Sequence, residues 1–255
     1  QFFDLGINEE LLQSLIDLNI SVPTDIQKKT IPILLNQKED VVALAKTGTG
    51  KTAAFGLPLL QLINPENTDV QAVILAPTRE LGQQIYADLV SFASHSPSIS
   101  IASVCGGIPI KPQIERLKKA THIVVATPGR LIDLVQRRAV SIATLKYLVL
   151  DEADEMVSAL KADLDIIALE IPKSRRTLLF TATMPGSVKQ LVQNYMSKHV
   201  VHLEADMAQM GHQGIDHNYV VVEPIEKLEV LLHFLHTKEG ERGIIFCKTK
   251  AAVNK

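Results

Sequence analysis

The sequence predicts an α/β fold in which a mostly parallel β-sheet is covered by helices on both faces. Short apolar runs rich in β-branched residues alternate with segments of helical spacing, and most of the runs are continuously apolar. A strand needs apolar residues on both sides when helices cover both faces of its sheet. The repeated order of strand and helix favours parallel pairing.

Seven apolar runs are predicted to be the strands of a first domain covering residues 1–204. They span 41–45, 72–76, 99–104, 123–126, 147–150, 178–180 and 200–203. Helical spacing predicts helices between some of these runs, at 53–62, 80–93 and 129–138.

The pattern breaks at residues 205–214, which have no clear period and are predicted to be a linker. Beyond this segment, 219–222 and 243–247 resemble strands, and 225–236 resembles a helix. About 40 residues is close to the lower limit for independent folding. Residues 215–255 are therefore interpreted as the truncated start of a second domain.

Composition argues against several classes of protein. Hydrophobic residues make up 46% of the 255 residues, which is typical of a packed core. The 26 basic and 28 acidic residues give a net charge of −2, which argues against binding nucleic acid by bulk positive charge. No apolar run reaches the roughly 18–20 residues of a membrane span. The first residues do not resemble a signal peptide, and two cysteines favour a reducing, cytoplasmic location.

A glycine-bearing loop at residues 45–52 joins the first predicted strand to the first predicted helix and ends in Gly-Lys-Thr. Glycines let backbone N–H groups turn toward phosphate oxygens, and the helix N-terminus adds partial positive charge. Lys51 can bind the β- and γ-phosphates, and the Thr52 hydroxyl can hold Mg²⁺. Ala45 replaces the usual first glycine of this motif. The sequence therefore predicts a phosphate loop.

Two carboxylates follow the apolar strand 147–150, in the segment Asp-Glu-Ala-Asp at 151–154. Ligands gather at the carboxyl ends of parallel strands, so Asp151 can complete a Mg²⁺ site and Glu152 can orient or deprotonate a water. The alternative is an acidic helix start that stabilises the helix dipole. Beside a phosphate loop, the catalytic interpretation is favoured.

Six further segments occur in an order that matches one family. They are Val-Pro-Thr-Asp-Ile-Gln at 22–27, Pro-Thr-Arg-Glu-Leu at 77–81, Gly-Gly at 106–107, Thr-Pro-Gly-Arg at 127–130, Thr-Ala-Thr at 181–183, and Ile-Ile-Phe-Cys-Lys-Thr at 244–249. With the phosphate loop and Asp-Glu-Ala-Asp, the set resembles the DEAD-box RNA helicases over essentially the whole chain. The joint occurrence carries the resemblance, since no single segment does.

The resemblance implies a RecA-like P-loop NTPase domain that binds ATP with Mg²⁺. The residues implied to bind the nucleotide are Phe2, Thr24, Gln27, Lys46, Thr47, Gly48, Thr49, Gly50, Lys51 and Thr52. The implied catalytic residues are Lys51, Asp151 and Glu152, and the implied metal ligands are Thr52 and Asp151. A Gln27 amide can donate to and accept from adenine, and Phe2, or alternatively Phe3, offers a stacking surface.

The resemblance also implies binding of single-stranded RNA, mainly through its sugar-phosphate backbone. The implied RNA contacts are Pro77, Thr78, Arg79, Gly106, Gly107, Thr127, Pro128, Gly129 and Arg130. Asp154, Thr181 and Thr183 are implied to couple the nucleotide and RNA sites. The protein is expected to be a monomer without a membrane partner.

The sequence departs from the family pattern in two places besides Ala45. The usual glycine-aromatic pair before the Gln27 segment is Asn19-Ile20, and residues 156–161 lack the usual Gly-aromatic pair. The histidines His199, His202, His212 and His217 lack partners at metal-ligand spacing. They are expected to have ordinary packing or surface roles.

Two other functions stay open at this level. A DNA helicase or translocase of the same superfamily would share the phosphate loop, but Gln27 and the literal Asp-Glu-Ala-Asp argue against it. A non-catalytic scaffold would keep the fold, but the presence of Lys51, Asp151 and Glu152 argues against it. Because no arginine finger is recognisable after Thr249, this chain is expected to bind nucleotide, hydrolyse it poorly and leave duplexes intact.

Overall fold

The computed structural model describes residues 1–205, 218–223, 225–238, 240, 242–249 and 253. The chain divides into two compact units, Gln1–Met210 and Gly211–Lys255. Most of the predicted linker lies outside the described residues, as do His212 and His217.

The first unit alternates strands and helices. A 3₁₀ turn at Phe3–Leu5 precedes them. The strands are β1 (Asp40–Leu44), β2 (Ala72–Leu75), β3 (Ile101–Val104), β4 (Ile123–Ala126), β5 (Tyr147–Leu150), β6 (Arg176–Thr181) and β7 (Val200–Glu204). The helices are α1 (Glu9–Asp17), α2 (Asp25–Asn36), α3 (Lys51–Leu62), α4 (Arg79–Phe92), α5 (Ile110–Leu117), α6 (Pro128–Gln136), α7 (Ala153–Glu170) and α8 (Gly186–Tyr195).

All seven strands form one sheet in the order β3-β4-β2-β5-β6-β1-β7, and every pairing is parallel. The predicted α/β fold is confirmed. Strand β6 begins two residues before the predicted run, at Arg176 and Thr177. These polar residues were missed because burial at this position depends on hydrogen bonds. The Arg176 guanidinium donates to three backbone carbonyls, and the Thr177 amide donates to the Asp40 carboxylate.

The sheet has a separate apolar core on each face. Within β1, Val41 and Ala43 belong to one core and Val42 belongs to the other, as the alternation of side chains along a strand requires. Helices α1–α4 supply the first core and helices α5–α8 supply the second. This double burial explains why the strands are continuously apolar.

Residues 156–161, which differ from the family pattern, lie inside α7. The backbone leaves helical geometry at Leu160, with φ −129° and ψ 21°, so two helical stretches meet there. Met156 and Val157 are buried in the second core, which fixes the first stretch against the sheet.

In the second unit, the predicted helix is confirmed as α9 (Lys227–Thr237), whereas the predicted strands at 219–222 and 243–247 are wrong. The described residues of these two segments form no strand. Tyr219 is 89% exposed and Phe246 is 92% exposed. A strand exists only when a neighbouring strand takes up its hydrogen bonds. A β-prone sequence therefore stays irregular where the described unit offers no such neighbour.

The first core includes a ring contact that can be tested. Phe55 of α3 and Phe180 of β6 are fully buried, with ring centroids 5.1 Å apart. Phe55→Ala is expected to lower the free energy of unfolding by about 3–5 kcal/mol, because it removes an aromatic ring and leaves a cavity. Phe3, which is 67% exposed, is the matched control, and Phe3→Ala should change stability by less than about 0.5 kcal/mol. Urea unfolding that gave both variants the same stability would contradict this packing.

Candidate functional site

The phosphate loop lies at the carboxyl end of β1 and leads directly into α3. Gly48 and Gly50 adopt left-handed backbone angles, with φ of 80° and 85°. Residues with a Cβ adopt such angles only under strain, which accounts for glycine at both positions. The Thr49 hydroxyl donates to the Lys46 carbonyl at 2.8 Å and closes the loop on itself. Among the described residues no side chain caps α3, so its first amides stay available to an anion.

Lys51 and Asp151 form a buried ion pair between the ends of β1 and β5. The Lys51 Nζ lies 3.4 Å from an Asp151 carboxylate oxygen, and both side chains are no more than 5% exposed. At this length the pair is looser than a charge-assisted hydrogen bond of about 2.8 Å, so Nζ keeps donors for another ligand. Burial raises the pKa of the Asp151 carboxyl, while the Lys51 charge offsets part of that effect and Glu152 adds to it. A buried carboxylate with this balance of charges suits a cation site.

Glu152 stands at the start of α7, facing the phosphate loop. Its backbone is left-handed, with φ 53°, which is uncommon for a residue other than glycine. The Thr47 hydroxyl donates to the Glu152 carboxylate at 3.4 Å. The structure therefore brings the carboxylate of Glu152 against the loop without burying it.

A cavity of about 430 Å³ opens beside the phosphate loop. Eight of the predicted site residues line it: Gln27, Thr47, Gly48, Gly50, Lys51, Thr52, Asp151 and Glu152. Lys46, Thr49 and Thr24 contribute to the surrounding loops but do not line the cavity. Phe2 does not line it either. Phe2 is 3% exposed and belongs to the first core, whereas Phe3 is 67% exposed, so adenine stacking by Phe2 stays a prediction.

The sequence interpretation missed part of the cavity wall. One side of α4 contributes Leu81, Gln84, Asp88, Ser91 and Phe92, and the segment that follows α1 contributes Leu18 and Ile20. The helical spacing of the five α4 residues was visible in the sequence, but it did not indicate which side of α4 faces a cavity. Burial raises the pKa of the Asp88 carboxyl, and a hydrogen bond from Thr52 partly offsets this.

The Gln27 side chain connects the start of α2 to the phosphate loop. Its amide oxygen accepts from the Thr24 amide at 2.9 Å, and its Nε2 donates to the Gly50 carbonyl at 3.0 Å. A Cβ at position 50 would approach the Gln27 Nε2 to 2.4 Å, so glycine is required for this contact as well. A primary amide has two donors and two acceptor sites, so one of each remains for a ligand.

Asn19 explains why the departure at 19–20 is tolerated. It occupies the left-handed region with φ 57°, where glycine is usual. Asparagine enters that region more readily than most other residues with a Cβ. The neighbouring Ile20 lines the cavity in place of an aromatic side chain.

The segments predicted to contact RNA meet at the carboxyl ends of the adjacent strands β3, β4 and β2. The Gly106 amide donates to the Thr127 hydroxyl at 3.0 Å. Arg79 donates to the Gly107 carbonyl at 3.3 Å, and Arg130 donates to the Ile108 carbonyl at 3.0 Å. The loop 106–108 is therefore held by the starts of α4 and α6. Thr78 caps α4 by accepting from the Leu81 amide.

The remaining predicted RNA contacts flank this loop. Pro77 lies between β2 and α4, and Pro128 and Gly129 form the first turn of α6. A Cβ at Gly129 would lie 3.3 Å from a carboxylate oxygen of Asp163 in α7. Glycine at this position therefore keeps α6 and α7 close together.

The predicted coupling residues are in direct contact. The Thr183 hydroxyl and amide donate to one Asp154 carboxylate oxygen at 2.6 and 3.0 Å, and the Thr181 hydroxyl donates to the Thr183 carbonyl at 2.7 Å. Burial alone would raise the pKa of Asp154, but hydrogen bonds from Thr183 and Thr181 outweigh it and hold the pKa below its ordinary value.

The contact between Asp154 and Thr183 predicts a pH-dependent stability. A lowered pKa in the folded state stabilises the protein above the ordinary value of 3.8, and this stabilisation is lost as the pH falls through the lowered pKa. Thr183→Val is expected to cost about 1 kcal/mol at pH 7, because it removes a hydrogen bond to a partly exposed carboxylate. In urea unfolding, the difference from wild type should shrink below about pH 4.

The matched control is Thr68→Val, which changes an exposed threonine in the loop before β2. This variant should match wild type at every pH. A Thr183→Val deficit that stayed constant down to pH 3 would contradict the assignment to the Asp154 carboxylate.

Within the described residues, no helix combines the length and the apolar character that a membrane span requires. The same part of the chain contains no group of three or more His, Cys, Asp or Glu side chains arranged to hold a metal. A cation bound at Asp151 would therefore need other kinds of ligand as well, including the Thr52 hydroxyl and phosphate oxygens.

Comparisons with known proteins all indicate the same family. The model of the DEAD/DEAH box helicase family matches residues 24–191. The DEAD-box ATP-dependent RNA helicase CshA of Streptococcus pneumoniae is 38% identical over 255 residues, all of this chain and 48% of the relative. A probable ATP-dependent RNA helicase of Methanocaldococcus jannaschii is 40% identical over 250 residues, 98% of this chain and 66% of the relative.

Two solved structures share the fold. A DEAD box protein from the hyperthermophile Methanococcus jannaschii has 38% identity and a TM-score of 0.76, with 99% of this chain and 68% of that one covered. S. cerevisiae Dbp5 bound to RNA and ADP BeF3 has 29% identity and a TM-score of 0.87, with coverage of 100% and 64%. These similarities confirm the RecA-like fold. The chain spans about half the length of the CshA relatives, and it belongs to the DEAD/DEAH box helicase family.

Proposed function

We propose that this chain is the ATP-binding part of an ATP-dependent RNA helicase. In this proposal ATP and Mg²⁺ bind in the cavity beside loop 45–52, and single-stranded RNA binds beside loop 106–108. The observation that carries the proposal is the buried pair of Lys51 and Asp151, which opens onto the same cavity as Gln27. A phosphate-binding cation, a carboxylate for a metal and an amide for a base are thereby combined.

The residues present suit a nucleotide with its metal. The left-handed Gly48 and Gly50 and the uncapped start of α3 suit the phosphates, and Lys51 retains free donors. The Thr52 hydroxyl and the Asp151 carboxylate would hold Mg²⁺, which when bound would offset negative charge on the phosphates. Glu152 would orient a water or accept its proton, since it faces the loop and stays accessible.

The RNA proposal depends on backbone donors in loop 106–108. Side chains bind the carbonyls of Gly107 and Ile108, while the amides of these residues donate to no group in the described part of the chain. Gly107 is left-handed with φ 77°. Such a loop suits a phosphate, which a backbone amide recognises without reading a base. Little sequence preference is therefore expected, and Dbp5 bound to RNA and ADP BeF3 supports the proposal by similarity.

The CshA relatives are about twice the length of this chain, so hydrolysis and unwinding are proposed for the whole protein. A phosphoryl-transfer site that lacks its arginine finger can lose about 10³–10⁵ in rate. We expect the chain alone to bind nucleotide and to turn it over slowly. In the whole protein, contacts from Asp154 to Thr183 would connect the nucleotide site to the end of β6.

Adenine selectivity tests the proposed function. Binding of ADP and GDP with Mg²⁺ is measured by calorimetry for wild type and for Gln27→Ala. Wild type should prefer ADP. Gln27→Ala should lose most of that preference, about 1–3 kcal/mol, because the remaining donor and acceptor of the amide would no longer meet the base.

Gln84→Ala is the matched control, because Gln84 lines the same cavity from α4 and makes none of the Gln27 contacts. It should retain the preference for ADP. Equal binding of ADP and GDP by wild type would contradict the role of Gln27 and leave a phosphate-loop NTPase without base selectivity. If neither ADP nor GDP bound to wild type, the proposed nucleotide site itself would be contradicted.

A further inference from the structure

A second groove lies at the amino-terminal ends of the strands, where β1, β5 and β6 begin. Its volume is about 670 Å³, larger than the cavity beside the phosphate loop. The end of α2, the end of α3 at Leu62 and the loops before β5 and β6 form its walls. Because the groove and the phosphate loop lie at opposite ends of the strands, an occupant here would leave the nucleotide cavity free.

The groove is positively charged. Its lining includes Lys38, Lys146 and Arg176, and no aspartate or glutamate is among the described residues that line it. Lys38 and Lys146 are exposed, and neither forms an ion pair with a carboxylate in the described part of the chain. The Lys146 Nζ donates to the neutral Gln71 side-chain oxygen at 3.4 Å, which leaves its charge unbalanced. In a chain with a net charge of −2, two exposed lysines without a lining carboxylate form a local concentration of positive charge.

The carboxylates of Glu39 and Asp40, which follow Lys38 in the chain, accept hydrogen bonds from backbone amides. Asp40 accepts from the amides of Thr177 and Ser197, each at 2.6 Å, and Glu39 accepts from the Lys38 amide at 3.0 Å. Neither of them lines the groove. Both carboxylates also interact electrostatically with the Arg176 guanidinium, so the positive charge left for a ligand to balance is that of Lys38 and Lys146.

The floor of the groove is rigid. Arg176 is 8% exposed, and its three guanidinium nitrogens donate to the carbonyls of Glu39, Leu34 and Ile33 at 2.7, 2.7 and 3.3 Å. These bonds fix the end of α2 and offset the partial negative charge of its last carbonyls. A preformed floor lowers the entropy that a ligand loses on binding.

The walls between the cations are apolar, which favours a peptide over a nucleic acid. Leu35, Leu62 and Leu145 contribute to them together with Pro172. Bases stack best on aromatic surfaces, and Tyr147 is the one aromatic residue among the described lining residues, whereas leucine and proline surfaces suit an apolar side chain. An acidic peptide would instead present carboxylates to the lysines and an apolar side chain to the leucines.

We propose that this groove is a docking site for a short acidic peptide segment of a partner protein, anchored by an apolar side chain between Lys38 and Lys146. The volume falls within the range of about 300–1,000 Å³ of small-ligand sites, so the groove takes in only a few side chains. The site is independent of nucleotide binding, and its test does not rely on the proposed helicase function.

The test measures binding of a fluorescein-labelled peptide, Glu-Glu-Leu-Glu-Phe-Glu-Glu, by fluorescence anisotropy. Two comparison peptides replace either all glutamates by lysine or both apolar residues by serine. The acidic peptide with its apolar residues should bind at least tenfold more tightly than either. Saturating ADP and Mg²⁺ should leave the affinity for this peptide unchanged, since the nucleotide cavity lies at the opposite ends of the strands.

Variants of the protein locate the peptide. The double variant Lys38→Glu, Lys146→Glu should weaken binding at least tenfold, and Ala143→Trp, which fills the groove without changing its charge, should weaken it similarly. The matched control Lys111→Glu, Lys189→Glu makes the same change of charge at exposed lysines outside the groove and should leave binding unchanged. Unfolding temperatures verify that each variant is folded.

Three outcomes would overturn the proposal. The first is an acidic peptide that binds no more tightly than its lysine counterpart. The second is equal weakening by both double variants, which would indicate attraction to overall charge. The third is displacement of the peptide by a single-stranded RNA whose own binding is lost in Lys38→Glu, Lys146→Glu, which would assign the groove to nucleic acid.

Discussion

The buried pair of Lys51 and Asp151 is the constraint on which the rest of the site depends. Each residue follows a different strand, and only β6 separates those strands in the sheet. A buried charge that loses its partner costs about 3–5 kcal/mol, so the sheet must hold both ends in register. The end of β6 lies between them, where the Thr181 carbonyl accepts from the Ala45 amide and its hydroxyl donates to the Thr183 carbonyl.

The hydrogen bonds around this pair connect the predicted motifs. Gln27 ties the start of α2 to the phosphate loop, and Thr183 ties the end of β6 to Asp154. In the same way, Thr127, Arg79 and Arg130 hold the loop 106–108. The segments predicted to bind nucleotide and RNA therefore lie together at the carboxyl ends of the strands. The proposed peptide groove lies at the amino-terminal ends of the strands, and Arg176 holds its floor in place. A ligand in this groove would therefore not compete with ATP.

The sequence predicted the structure best at positions where a single physical requirement determines the residue type. Continuous apolar runs predicted the strands because both faces are covered, and glycines at 48 and 50 predicted the loop because both are left-handed. The α4 side of the cavity could not be predicted, since its exposure depends on how α4 packs against α3. Neither could the burial of Phe2, nor the start of β6, which depends on hydrogen bonds to Arg176 and Thr177. The two strands of the second unit failed because strand formation is not a local property.

Amide hydrogen exchange of this chain, measured with and without ADP and Mg²⁺, shows whether a nucleotide occupies the cavity beside loop 46–52. We expect slower exchange in loop 46–52 and at the start of α2 around Gln27, because a bound nucleotide would occupy the cavity they share. We expect unchanged exchange at 36–38 and 143–146, which border the groove at the amino-terminal ends of the strands. Protection confined to that groove, or no protection of loop 46–52 at saturating ADP, would contradict the proposed nucleotide site.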